Sequence, residues 1–157
     1  MKNFFSYLIT ITLLTLSVKA NEFPLDPNIT YGKLDNNLTY YIRENQNPKD
    51  KAYIKMVIKA GSIMEEEHQQ GLAHLLEHMA FNGSKNFPKR SVDEFMSSIG
   101  LNIGTHYNAS TGFFTTNYEY EIPTNDPKNL ETVIQIFADI LKNLSLEDDA
   151  FERERKI

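Results

Sequence analysis

Two rhythms of hydrophobic and polar positions run along the 157-residue chain. Short runs dense in β-branched and aromatic residues predict strands at Leu38-Thr39-Tyr40-Tyr41-Ile42, behind the turn formers Asp35-Asn36-Asn37, and at Ala52 to Ala60, ahead of Gly61-Ser62. Asn102 to Ser110 and Phe113 to Ile122, joined through Thr111-Gly112, predict an antiparallel pair. The other rhythm is helical. Gly71 to Phe81 holds good helix formers and no Pro, and stops at Asn82-Gly83. Ser91 to Ser98 predicts a second helix, with Ser91 as cap, Glu94 as its capping-box partner and Gly100 at its end. After Asp126-Pro127, apolar residues at Leu130, Val133, Ile134, Ile136, Phe137, Ile140 and Leu141 mark an amphipathic helix of about four turns. Glu147-Asp148-Asp149 opens a last helix running through Phe151 to Ile157. Strand, strand, helix, helix, strand, strand, helix, helix is the order of an α+β domain, with helices packed on one face of a mostly antiparallel sheet.

The first twenty residues stand outside that domain. Lys2, a mostly apolar run from Phe4 to Val18, and Val18-Lys19-Ala20 fit a secretory signal peptide over residues 1–20. That run is about 15 residues long, short of the roughly 20 a membrane-spanning helix needs. Cleavage after Ala20 would remove Lys2 and Lys19 and take the net charge from −5 to −7. No stable membrane insertion is then expected. Residues 21–32, with Pro24 and Pro27, read as a lead-in segment, and the domain occupies residues 33–157. The acidic balance leaves no basic footprint for nucleic acid. The chain has no Cys, so a metal would have to sit on His, Asp or Glu.

Those residue types come together at His74, Glu77 and His78. At about 100° per residue the two imidazoles lie roughly 40° apart on one helix face, with the carboxylate beside them. Both rings can then reach one ion, while the carboxylate meets a water instead. H-x-x-E-H reverses the H-E-x-x-H zinc order and serves the same chemistry. Taken alone, the pentad also fits a solvated helix face. His68 and His106 read as ordinary surface or strand residues.

The surroundings add to the pentad. Gly61-Ser62-Ile63-Met64-Glu65, then Gly71 through Ser84, resembles the zinc-binding signature of the insulinase/pitrilysin family of metallopeptidases almost position for position. Leu34 to Tyr41 looks like that family's opening strand, where the third polar position, here Asn37, is commonly Gly. Asn108-Ala109-Ser110-Thr111 with Thr116-Asn117-Tyr118 looks like the strand pair beside the cleft, and Glu152 to Lys156 like the start of a later helix. The resemblance implies that His74 and His78 bind Zn2+ and that Glu77 is the general base. It implies that Glu154 supports the metal site from behind the ligands, and that the strand at Asn108 and Ala109 offers an edge to an extended peptide. A strand-end Asn serves Asn108 equally well.

By spacing from His78, Glu154 could itself be taken for the third ligand. The pattern Arg153-Glu154-Arg155 matches the supporting glutamate instead, and the third ligand is then expected about two turns on, beyond Ile157. The chain reads as the N-terminal portion of a secreted zinc endopeptidase, bacterial and periplasmic. Its substrate is a peptide or small protein, and it is inactive without further C-terminal domains or a homologous partner chain. The alternative is a non-catalytic peptide-binding or partner subunit of a homologous peptidase.

Overall fold

The computed structural model describes residues 24–156. The stretch read as a signal peptide lies outside them. Among the described residues no helix is long and apolar enough to cross a membrane. Two compact units divide at Glu44/Asn45.

The first unit holds an antiparallel hairpin of β1 (Ile29–Lys33) and β2 (Thr39–Arg43), in register from Ile29 opposite Arg43 to Lys33 opposite Thr39. The lead-in reading thus missed a strand. Ile29-Thr30-Tyr31 has strand-forming side chains, but the segment is short and Pro-flanked, so only its pairing with β2 reveals it. At the turn Asn37 takes a left-handed φ of 69°, a region Gly enters freely and Asn tolerates, and the Leu38 amide donates to Asn36 Oδ1 at 3.1 Å.

The second unit is built on a three-stranded antiparallel sheet in the order β3 (Lys51–Ile58), β5 (Thr116–Pro123), β4 (Tyr107–Thr111). Along β5 the alternation is plain: Thr116, Tyr118, Tyr120 and Ile122 are buried. The opposite face carries the cross-strand pairs Lys51–Glu121 and Lys55–Glu119. Apolar and charged side chains therefore assign the two faces of one sheet. Residues 102–106, predicted as strand, form an irregular loop instead. Gly104 turns it at a φ of 79°, and His106 Nδ1 accepts from the Asn102 amide at 3.2 Å.

On the apolar face lies α3 (Pro127–Lys142), with Asp126 as N-cap accepting from the Lys128 amide and Pro127 in the first turn. Val133, Ile136, Phe137 and Ile140 are its buried stripe, and Phe137 meets Tyr120 edge-on at 5.0 Å between ring centroids. Leu130, Ile134 and Leu141, predicted on the same stripe, are exposed. α1 (Leu72–Met79) and α2 (Ser91–Ser98) add the fully buried Met79 and Met96, and α4 (Asp148–Glu154) packs against α1. Ser91 is not a cap. Arg90 holds that position at a left-handed φ of 70°; the Ser91 hydroxyl donates back to the Pro88 carbonyl at 2.7 Å, and the Glu94 amide donates to the Arg90 carbonyl at 2.9 Å instead of to Ser91. The last helix also ends earlier than read, at Glu154, with Arg155 as its C-cap.

The loop after α1 is tied to α3 by a buried carboxylate. Asp139 accepts from Ser84 Oγ at 2.6 Å, from the Asn86 amide at 2.9 Å, and from Asn86 Nδ2 and Asn143 Nδ2 at 2.8 Å each. Burial pushes this carboxyl up, but the hydrogen bonds from Ser84, Asn143 and Asn86 outweigh it and bring it down to about 2. A carboxyl lowered on folding stabilises the fold above its unfolded value near 3.8, and loses that contribution as pH falls towards 2. Asp139→Ala leaves several buried donors unpaired and is expected to cost about 3 kcal/mol. A urea midpoint equal to wild type at pH 7 would contradict this.

Candidate metal centre

The helix that carries the pentad is aimed before it begins. Gly71, at a φ of 88°, turns the chain into α1. The Glu65 carboxylate reaches forward to accept from the Gly71 amide at 2.8 Å and the Ala73 amide at 2.7 Å. An acidic group on two first-turn amides complements the helix dipole and satisfies donors that α1 would otherwise leave open. Downstream, Asp139 fixes the exit of the same helix.

Between these anchors the two imidazoles converge. His74 Nε2 and His78 Nε2 are 3.1 Å apart, with ring planes at 86°. The other nitrogen of His78, Nδ1, lies 2.9 Å from Glu154 Oε2, and Asn82 Nδ2 donates to Glu154 Oε1 at 2.8 Å. The hydrogen bond from Asn82, then that from His78, holds the Glu154 carboxyl below its ordinary value. A charged carboxylate beside Nδ1 selects the tautomer with hydrogen there, which leaves the Nε2 lone pair facing His74.

That pair passes a simple test for a metal. Two nitrogens on a tetrahedral ion, each about 2.0 to 2.1 Å from it, sit about 3.3 Å apart. The observed separation is within a few tenths of an ångström, and two lone pairs this close call for a proton or a cation between them. Imidazole donors suit zinc. Among the described residues, no group of three or more His, Asp or Glu is arranged to hold an ion. Glu154 bonds the ring nitrogen turned away from His74, so its carboxylate stands behind His78 and not beside the converging pair.

Glu77 occupies the next position round the helix and is 7% exposed, against the exposed His74. Its Oε2 accepts from the Thr111 hydroxyl in β4 at 2.5 Å. Burial, with the Glu77 carboxylate nearby, pushes the Tyr118 hydroxyl up to about 12, so this neighbour stays neutral. β4 flanks the site as an edge strand of its sheet, with Ala109 and Thr111 partly buried on the α1 side. Asn108 is exposed on the opposite face, in a depression with Tyr53, Lys55 and His106. The fold therefore brings His74, His78, Glu77 and Glu154 together, but turns the Asn108 side chain away. His106 is likewise remote, whereas the exposed His68 borders the open depression lined by His74, His78 and Glu154.

Residues 40–157 match the insulinase family, peptidase family M16. The chain belongs to this family. It is 37% identical over 137 residues to "Probable zinc protease PqqL" of Haemophilus influenzae, covering 87% of this chain and 15% of that protein. To the Escherichia coli protein of the same name it is 35% identical over 150 residues, 96% of this chain and 16% of that one. The crystal structure of the periplasmic protease PqqL from Escherichia coli superposes with a TM-score of 0.81 at 36% identity, covering 85% of this chain and 15% of the other. The insulinase-family chain thus spans about a sixth of the length of these relatives.

Three residues hold the centre together in ways the sequence does not signal: Glu65, Asn82 and Thr111. Glu65 lies six positions ahead of the first amide it caps, outside the capping-box spacing. Asn82 reads only as a helix stop, and its second partner, Glu154, is 72 positions away. Thr111 is 34 positions from Glu77, and only the packing of β4 beside α1 shows the contact.

Proposed function

We propose that this chain is the N-terminal catalytic portion of a zinc endopeptidase, exported to the bacterial periplasm and working on peptides or small proteins. The observation that carries the reading is the 3.1 Å convergence of two imidazole nitrogens beside a buried carboxylate held by one hydroxyl. Kinship with proteins named zinc proteases, one of them periplasmic, supports it, as does the signal-like pattern of residues 1–20.

His74 and His78 would hold the metal through their Nε2 atoms, with Glu154 orienting His78 from Nδ1 and Asn82 orienting Glu154. Zinc, when bound, polarises a carbonyl oxygen and brings the pKa of a water down towards neutrality. Glu77 takes a proton from the attacking water and delivers it to the leaving amine, so one carboxylate acts first as base and then as acid. The edge strand β4 aligns an extended peptide through its main-chain groups, Ala109 and Asn108 among them. The chain spans about a sixth of its relatives' length; in this reading the remaining ligand lies about two turns past Glu154 along the same helix, the wall opposite β4 belongs to further domains, and turnover needs both.

The test uses the complete gene product. Hydrolysis of a fluorogenic peptide is expected to stop on dialysis against a chelator and to return on adding one equivalent of zinc. Hydrolysis indifferent to the chelator would reject the metallopeptidase reading.

A further inference from the structure

We propose that Thr111 is a positioning residue for proton transfer, which fixes the oxygen of Glu77 that receives the proton. This rests on the proposed role of Glu77 as base. A carboxylate that swaps protons with a bound water must present one oxygen in a set direction, and an unrestrained side chain spreads over rotamers instead. Glu77 is nearly enclosed, and the Thr111 hydroxyl donates to its Oε2 at 2.5 Å. That is the short distance of a charge-assisted bond. Among the described residues Oε1 has no partner, so it is the oxygen left open to take a proton. The hydroxyl is itself held. Thr111 pairs with Thr116 across the β4–β5 ladder, and a β-branched side chain on a strand has few rotamers to choose from. Oε2 is thereby committed to the sheet and Oε1 to the chemistry.

The contact is separable from the fold. Thr111→Val keeps the branched shape and strand propensity and removes only the donor, whereas Thr111→Ser keeps the donor.

In the complete peptidase, Thr111→Val is expected to lower kcat about tenfold with KM and zinc stoichiometry unchanged, and Thr111→Ser to recover to within about twofold of wild type. A readout free of turnover accompanies these. The infrared difference between metal-free wild type and Glu77→Gln isolates the Glu77 carboxylate stretch, which should move in Thr111→Val and stay in place in Thr111→Ser. Thr111→Val with wild-type kcat and an unmoved band, while Glu77→Gln is inactive, would overturn the positioning role and leave the base assignment standing. Loss of zinc along with kcat in Thr111→Val would also overturn it, in favour of a structural contact. Turnover retained by Glu77→Gln would sink the base assignment, and this inference with it.

Discussion

A protein carrying both His74→Ala and His78→Ala is expected to lose zinc affinity by more than about a thousandfold, because two imidazoles supply a large share of the binding energy of such a site. The fold should survive. His74 is exposed, His78 is only partly covered, and Ala is the best helix former, so α1 keeps its propensity and its buried Met79. Removing His78 frees the Glu154 carboxylate from one partner, but Asn82 still donates to it. Zinc titration of wild type and double variant, with circular dichroism to check α1, decides the matter. Equal uptake by a folded variant would show that the close pair of nitrogens is not where the metal sits.

The same pair shows what a sequence can reveal. Helical periodicity is local, so a spacing of four positions is enough to place His74 and His78 on one face, and the structure adds only the 3.1 Å by which they meet. The Asp126-Pro127 start of α3 is equally local, since cap and first-turn Pro lie within three residues. What stayed hidden depends on the path of the chain between distant positions. Ser91 has the right type and spacing for a cap, yet the turn at Pro88-Lys89-Arg90 points its hydroxyl backwards. β1 owes its existence to a partner across a turn. Thr111 and Asn82 act on groups 34 and 72 positions away, and no periodicity spans such distances. Glu154 lies between these cases. Its position along the chain allows two places, beside the converging nitrogens or behind His78, and only the structure shows its carboxylate on Nδ1 of His78.

Glu77→Gln tests the chemistry with the least disturbance to everything around it. The amide matches the carboxylate in size, and its carbonyl can still accept from the Thr111 hydroxyl, so the side chain should keep its orientation. Its NH2 group then occupies the position of Oε1, a donor where the proposed mechanism needs an acceptor. Neutralising a group that is 7% exposed adds no charge to be desolvated, so stability should hold or rise. Zinc stoichiometry is expected to equal wild type, since the hydrogen bond Glu77 makes is to Thr111 in β4 and not to an imidazole. Turnover is expected to fall by about a thousandfold, within the usual range for losing a general base. Metal analysis and peptide hydrolysis on one preparation of the complete peptidase separate the two effects. A variant that binds zinc and still hydrolyses peptide at the wild-type rate would remove Glu77 from the mechanism, and the proton would then need another acceptor within reach of the two imidazoles.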